Sequence, residues 1–351
     1  MKLSLRKVLG SAVALVGFTL VPNVHADVEV LFAGGNASQT VLYDRVTNIL
    51  TGGISGVWIS PTNATVRTYR GTITSQPGLG TVTINFSLLG AVGGFQDLAT
   101  QTSENTALTN SLPPTVAVSS TSPEAVAIDP TPFVHTKTLV VPFVFIKNPA
   151  KSPNLAGVTN LTQRQAAYLE GAAGYIPSTF FGGTGTNVVY LVPRNTAAAV
   201  RTEIDLNIYF SGTISAWKTN ASGQPIPDPA GGQSSGGNVR AQLNVITNAI
   251  GTVAAQDIGS FTPLNYEGVP YSVANVQNGS YPIWGYERWA YLKTGQTGAP
   301  SPNQLTVINA LLGAVTDPTF QTTSPVFVGN FVPLSGLQVD RSSDGGPIFI
   351  P

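Results

Sequence analysis

Strand-like and helix-like segments alternate along this chain, and this alternation restricts its fold more than any other feature. Residues 28–32 have the pattern of a buried strand, which stops at Gly34 and Gly35. From Ser38 onward, apolar residues recur at helical spacing until a second glycine pair at 52–53. A strand, a glycine turn and a helix in this order indicate an α/β architecture.

The next segments extend the pattern. Residues 66–73 and 81–86 alternate as strands do, and the glycine-rich stretch 90–94 then interrupts them. Residues 139–146 form an apolar run with one proline, which predicts a buried strand or a crossing between two lobes. We therefore expect an α/β fold, with an all-β sandwich as the alternative.

The second half contains two well-marked helix starts. Thr162 with Gln165, and Ser301 with Gln304, each form a capping box. Between them the spacing predicts a strand at 188–192 followed by a helix at 195–203, a surface loop at 223–237 that we expect to be mobile, and a helix at 239–250. After an N-terminal leader is removed, about 325 residues remain, which is enough for two lobes.

Composition excludes several classes of function. The chain has 17 basic residues, 17 acidic residues, 2 histidines and no cysteine. No basic excess is available for a nucleic-acid backbone, so we expect no nucleic-acid partner. Thiolate metal sites, disulfides and thiol catalysis are impossible without cysteine. No cluster of acids, bases or nucleophiles stands out at recognisable spacing, so we expect neither catalytic residues nor a cofactor or metal.

The N-terminus has the pattern of a secretory signal peptide. Lys2, Arg6 and Lys7 precede an uncharged stretch at 8–22, and Val-His-Ala at 24–26 resembles a cleavage site. We expect residues 1–26 to be removed and the mature chain to reach the periplasm or the medium. No later segment is apolar for the roughly 20 residues that a membrane span requires.

Several loops could donate hydrogen bonds to an anion. Backbone N–H groups at a helix start attract negative charge, and hydroxyls or a guanidinium can add to them. The candidates lie before the first helix, beside the glycine-rich stretch, after a short apolar run at 116–118, and before the helix at 195–203. They are Gly35, Ala37, Ser38, Ser87, Ser119, Ser120, Arg194 and Thr196.

The order of these segments resembles the phosphate-type periplasmic solute-binding proteins of ABC transporters, including the related DING proteins. The most specific match is Asn-Gly-Ser-Tyr-Pro-Ile-Trp-Gly-Tyr-Glu at 278–287. The looser matches are 32–38, 160–171, 189–194, 249–253 and 344–346. The resemblance implies a type II, two-lobed fold with the ligand between the lobes. It implies one lobe from 27–140 plus 259–351, and a second from 141–258.

The resemblance also implies roles for individual residues. Ser38 matches the family's hydroxyl before the first helix, Ser119 or Ser120 its central serine, and Arg194 its arginine. The chain departs from the family in two places. It has no Ser-Asp pair at the central serine, and Asn-Thr-Ala-Ala-Ala at 195–199 replaces Ser-Gly-Thr. Each unpaired buried polar group costs about 1–3 kcal/mol, so these losses affect the ligand more than the fold.

Three functions follow as hypotheses. The first is an exported, non-catalytic protein that binds phosphate or another small oxyanion, with an ABC permease as a candidate partner. The second is a secreted or cell-surface interaction module on the same fold that has lost phosphate binding. The third, a phosphoryl hydrolase, is disfavoured because the sequence offers no activated water or nucleophile.

Overall fold

The structure, a computed structural model, describes residues 27–103 and 112–351. The predicted signal peptide lies outside the described residues. The strands are β1 Val28–Gly34, β2 Ile54–Ile59, β3 Val66–Gly71, β4 Val82–Ser87, β5 Val116–Ser119, β6 Phe133–Lys147, β7 Asn160–Leu161, β8 Tyr190–Val192, β9 Trp217–Thr219, β10 Pro225–Pro227, β11 Ala249–Ala254, β12 Thr262–Pro263, β13 Asn265–Tyr266, β14 Trp284–Leu292, β15 Asp340–Arg341 and β16 Ile348–Phe349.

Helices are interleaved with these strands, so the α/β expectation is confirmed. They are α1 Gln39–Ile49, α2 Ala91–Thr100, α3 Gln163–Ala172, α4 Ala199–Asn207, α5 Gly236–Leu243, α6 Val273–Gln277, α7 Pro302–Val315 and α8 Pro318–Thr323. Both predicted capping boxes are present, at the starts of α3 and α7.

A single large sheet runs through the molecule in the order β2-β3-β4-β1-β5-β14-β6-β11-β8, with β12 added to β6. β1 pairs in parallel with β4 and β5, and β8 pairs in parallel with β11. The two central strands, β14 and β6, are antiparallel to their neighbours. Two parallel groups therefore flank an antiparallel centre.

The long strand β6 connects the two parallel groups. Its first part, 133–142, pairs with β14, while 143–147 pair with β11. Every residue from Thr138 to Lys147 is buried, which explains the continuous apolar run in the sequence. β6 thus passes from the β14 side of the sheet to the β11 side between Pro142 and Phe143.

The strand pairings also indicate where the chain returns. Residues 262–263 pair with the second part of β6, and 265–266 pair with β7. The chain pairs again with the first part of β6 only at β14, which begins at Trp284. The lobe boundaries predicted from the sequence, at 140 and 259, stay predictions.

Two stretches differ from the sequence-based expectation. Residues 223–237, assigned to a loop, include β10 and the start of α5, and buried Asp228 there forms an ion pair with Lys218 at 3.2 Å. The helix expected over 239–250 ends at Leu243, and Ile250 lies in β11. The hydrophobic spacing predicted a helix where β11 lies, because buried strands of this kind are apolar on both faces.

Helix α2 begins inside the glycine-rich stretch that was expected to interrupt the chain. A β-carbon on Gly94 would lie 2.6 Å from the Gly34 α-carbon and 2.7 Å from the Ala33 oxygen. α2 therefore packs directly on β1 because Gly94 lacks a side chain. The glycines that reduce helix propensity are the residues that allow this contact.

We predict opposite effects for two glycine-to-alanine changes in helices. Gly94→Ala should destabilise the fold by about 1–3 kcal/mol through overpacking against β1. Gly313→Ala, at an exposed position of α7 with open space around it, should stabilise the fold by about 0.5–1 kcal/mol through helix propensity. Urea denaturation of both variants measures the difference, and equal effects would contradict the close packing of α2.

Candidate functional site

Three helix starts from distant parts of the chain meet at one small cleft. The cleft is lined by residues 35–37 before α1, 89–91 at the start of α2, and residues 194–195 and 197–200 at the start of α4, together with Ser120 after β5. It lies beyond the ends of parallel strands β1, β5 and β8, where open α/β sheets characteristically bind ligands.

Several backbone donors at this cleft are unpaired. Within the described residues, six of the N–H groups that precede or begin the three helices have no acceptor, whereas those of Gly35, Gly90 and Ala198 are paired. The unpaired groups belong to Asn36, Ala37, Ser38, Ala91, Ala199 and Val200. Unpaired N–H groups at helix starts carry partial positive charge, so the cleft is electrostatically suited to an anion.

Arg194 adds a formal positive charge to the same cleft. Its Nε and Nη2 donate to the main-chain oxygens of Gln233 and Ser234 at 3.1 and 2.9 Å, which fixes the guanidinium in place. Burial lowers the pKa of Arg194 from its usual value, while nearby Asp257 opposes this shift. A guanidinium has five donors, so donors remain for a ligand.

The cleft is nearly closed. Its volume is about 10 Å³, which is close to the minimum needed to hold a water molecule. The Val92 N–H donates to the Ala197 oxygen at an N–O distance of 3.4 Å, so the start of α2 and the segment before α4 touch directly. A tetrahedral oxyanion therefore requires a small separation of the lobes.

The structure brings some predicted site residues to the cleft and not others. Gly35, Ala37, Ser120 and Arg194 line it, although the Gly35 N–H already donates to the Val118 oxygen at 2.7 Å. The remaining predicted residues lie outside its lining. They are Ser38, Ser87, Ser119 and Thr196.

Each of these four residues has a local explanation. Ser38 donates its hydroxyl to the carboxyl group of Glu287. The Ser87 hydroxyl is buried with no partner among the described residues, and Ser119 bonds to the Thr121 hydroxyl at 2.9 Å. Thr196 is exposed, and Ala197 takes its place against the cleft.

A buried carboxyl that the sequence analysis did not propose as a site residue occupies the centre of this region. Glu287, fully buried in β14, accepts hydrogen bonds from Ser38 at Oε1 and from Ser120 at Oε2. Two hydroxyls expected to bind an external anion therefore bind an internal carboxyl group. Glu287 ends the most specific stretch of the resemblance, but nothing in a linear sequence indicates that its side chain meets two serines.

Burial determines the charge of Glu287. Loss of solvent raises the pKa of its carboxyl to about 7, while the two serine hydrogen bonds and Arg288 pull it down. The carboxyl group is therefore close to half ionised at neutral pH. This distinguishes it from surface glutamates, which are fully ionised there.

A strand irregularity lies beside Glu287. The register of β14 on β6 shifts between Glu287, opposite Leu139, and Arg288, opposite Lys137. The skipped residue Thr138 donates from its hydroxyl to the main-chain oxygen of Glu287 at 3.2 Å. Bulges of this kind redirect side chains and are common next to functional sites.

A second buried group of charges joins the lobes near β14. Glu203 of α4 is fully buried, and desolvation followed by the charge of Asp344 raises its pKa, while Arg341 and Arg288 oppose the shift. Asp344 accepts from Arg288 at 2.8 Å. A β-carbon on Gly285 would lie 2.8 Å from the Glu203 carboxyl carbon, so glycine is required where α4 meets β14.

Two chemical features are absent from the described ranges 27–103 and 112–351. No group of three or more histidine or acidic side chains there could hold a metal ion. None of the helices in those ranges combines the length and apolarity needed to cross a bilayer.

Comparison with solved structures identifies the fold. A phosphate ABC transporter substrate-binding protein with bound phosphate from Clostridium perfringens superposes with a TM-score of 0.56 and 14% identity, covering 87% of this chain and 99% of that one. An ABC-type phosphate transport receptor from Vibrio cholerae gives 0.52 and 14%, covering 81% and 93%. No family model and no curated protein matches the sequence.

The fold is therefore the two-lobed α/β fold of periplasmic solute-binding proteins, with phosphate-type members among its structural neighbours. The resemblance seen in the sequence is confirmed at this level. At 14% identity the similarity establishes the fold but not the ligand.

We predict that Glu287 makes stability depend on pH. A carboxyl group whose pKa rises from 4.5 to about 7 on folding binds its proton more tightly in the native state. Its contribution is fully present below pH 4.5 and is lost as pH rises through 7. Relative to Glu287→Gln, the free energy of unfolding of the native chain should fall by at most about 3 kcal/mol as pH rises over this range.

Urea denaturation of both proteins at several pH values measures this loss. Glu170→Gln is a useful control, since Glu170 is buried between α3 and α4 and its pKa is raised to about 8. The Glu170→Gln variant should keep the pH dependence of stability that comes from Glu287 and lose only the part that comes from Glu170. A constant difference between the native chain and Glu287→Gln would contradict a raised pKa at position 287.

Proposed function

We propose that this chain is an exported, non-catalytic binding protein for a small oxyanion, with phosphate the first candidate. One observation carries the proposal: unpaired N–H groups from three helix starts converge on one cleft with Arg194. Donors from both lobes meet there, so a bound anion would be held from two sides. The proposed lobes are those predicted from the sequence, with the return to the first lobe moved towards β14.

Electrostatics favours an anion over a neutral ligand of the same size. Buried, preorganised N–H groups stabilise negative charge strongly because little water competes with them. The guanidinium supplies charge-assisted hydrogen bonds, which are roughly twice as strong as neutral ones. The low volume, about 10 Å³ in the closed cleft, argues against a large ligand.

Opening and closing would admit and trap the anion. β6 and β14 lie at the centre of the sheet, and β6 contributes to both lobes, so a small change along them would separate Val92 from Ala197. Hinge closure around a ligand is common in two-lobed binding proteins. A closed, ligand-bound form would be the one that a partner such as an ABC permease recognises, and the predicted signal peptide supports a periplasmic or secreted location.

The cleft lacks the parts of a catalyst. None of the residues lining it is a histidine, a carboxylate or a lysine that could act as a general base. The described residues offer no metal cluster that could activate water. This supports a binding role in preference to the phosphoryl hydrolase considered from the sequence.

A specific observation also supports the second hypothesis, an interaction module that no longer binds phosphate. Ser38 and Ser120 already donate to Glu287, and the Ala197 oxygen already accepts from Val92. These internal contacts satisfy donors that a ligand would otherwise use. Direct binding measurements separate the two functions.

We predict that isothermal titration of the purified chain with phosphate and with sulfate detects binding of at least one anion. Arg194→Gln should weaken that binding by about 10- to 100-fold, since a hydrogen bond to a charged group contributes about 1.5–3 kcal/mol. Arg164→Gln, at an exposed position of α3 outside the cleft, makes the same change in net charge and should leave affinity unchanged.

Three outcomes decide between the functions. Binding that is lost only in the Arg194 variant supports an oxyanion-binding cleft. Equal weakening in both variants would indicate a general charge effect and contradict this site. Absence of heat and of any shift in melting temperature with either anion would overturn oxyanion binding and favour the interaction module.

A further inference from the structure

We infer that Glu287 is a positioning residue that couples anion binding to the uptake of a proton, through the hydroxyl group of Ser120. The inference rests on the proposed function, because it concerns the same cleft. It adds a regulatory property: the affinity for the anion depends on whether this buried carboxyl group is protonated. Glu287 does not line the cleft, whereas Ser120 both lines it and bonds to Glu287.

When Glu287 is ionised, both serine protons are used. A carboxylate only accepts hydrogen bonds, so Ser38 donates to Oε1 and Ser120 donates to Oε2. A serine hydroxyl has a single proton, and its remaining capacity is as an acceptor. Ser120 then presents lone pairs to the cleft, and an anion there meets an acceptor in place of a donor.

Protonation of Glu287 reverses this arrangement. The neutral carboxyl group carries one O–H, and when the proton is on Oε2 it donates to the Ser120 oxygen. Ser120 no longer needs to donate to Glu287, and its own proton can turn towards the cleft. Ser38 continues to donate to Oε1. The change therefore exchanges a repulsive contact for a hydrogen bond to the anion and also removes a negative charge behind it.

Few other charges act on Glu287 among the described residues. On its own strand, Arg288 stabilises the ionised form and is itself paired with Asp344. The start of α1 contributes Ser38 and the segment after β5 contributes Ser120, so each presents a neutral hydroxyl to the carboxyl group. From β6, the Thr138 hydroxyl bonds to the main-chain oxygen of Glu287 and is also neutral.

The remaining nearby charges are engaged elsewhere. Glu203 of α4 interacts with Asp344, Arg341 and Arg288, and Arg194 across the cleft is held by two main-chain oxygens. Burial raises the pKa of Glu287 to about 7, which places its titration in the range where such coupling operates.

The direction of the effect follows from linkage. An anion in the cleft interacts better with the protonated form, so its binding raises the pKa of Glu287 further and draws a proton from solvent. By reciprocity, affinity is highest below pH 7 and falls as pH rises, by at most about tenfold per pH unit. A carboxyl group with a fixed charge would not make the affinity depend on pH in this way.

Titration calorimetry near pH 8 in two buffers of different ionisation enthalpy tests the inference. The difference in heat gives the number of protons taken up with each phosphate or sulfate. Glu287→Gln is the matched variant, because its amide donates to one serine and accepts from the other, as the protonated acid does. Phosphate's own protonation contributes equally to both proteins and cancels in the comparison.

We expect the native chain to take up a fraction of a proton more than Glu287→Gln. At pH 8 the variant should also bind the anion more tightly than the native chain does. Between pH 6 and pH 8 its affinity should change by about tenfold less than that of the native chain. Ser120→Ala should reduce the extra uptake, because the transmitting hydroxyl is missing and only the charge of Glu287 still acts on the anion. Ser38→Ala should retain it, and Glu170→Gln should behave as the native chain.

The outcomes separate this inference from the proposed function. Anion binding with equal proton uptake in the native chain and in Glu287→Gln would overturn the coupling and leave the binding function intact. Extra uptake that is undiminished in Ser120→Ala would overturn the role of that hydroxyl. No binding by the native chain or by Glu287→Gln at any pH would overturn both the function and the coupling.

Discussion

Unpaired backbone donors at three helix starts are the constraint on which the site depends. Each helix leaves N–H groups at its first turn that require an acceptor or water. Here α1 and α2 from one lobe and α4 from the other place these groups around a single cleft. Partial positive charges that meet in a buried space are unfavourable unless a negative group lies close to them. This supports the oxyanion proposal, and it also fits the presence of the nearby acid Glu287.

Glu287 supplies part of the missing negative charge from within the protein. Its carboxyl group sits behind Ser38 and Ser120 and engages the hydroxyls that the family resemblance assigned to the ligand. Because the group is buried, its charge is set by competition between desolvation and hydrogen bonds, and it changes near neutral pH. The same residue thus orients both serine hydroxyls and makes the cleft sensitive to protons.

Much of the fold could be predicted from local patterns. The capping boxes at Thr162 and Ser301 mark helix starts correctly because their hydrogen bonds lie within four residues of sequence. β1 and α1 follow from a strand, a glycine turn and helical spacing. The errors fall where long-range packing overrides local preference: α2 begins among glycines that pack on β1, and Ile250 joins a buried strand although its spacing is helical.

The sequence by itself determined the α/β class, the absence of thiol chemistry and the candidate donors Ala37, Ser120 and Arg194, because these depend on composition and short-range pattern. Tertiary structure alone decided that Glu287 meets Ser38 and Ser120, which lie 249 and 167 residues away along the chain. It also decided that Thr196 faces solvent while Ala197 lines the cleft. The physical reason is that charge and hydrogen-bond partners in a cleft are fixed by which distant strand ends meet, and no periodicity within one segment contains that information.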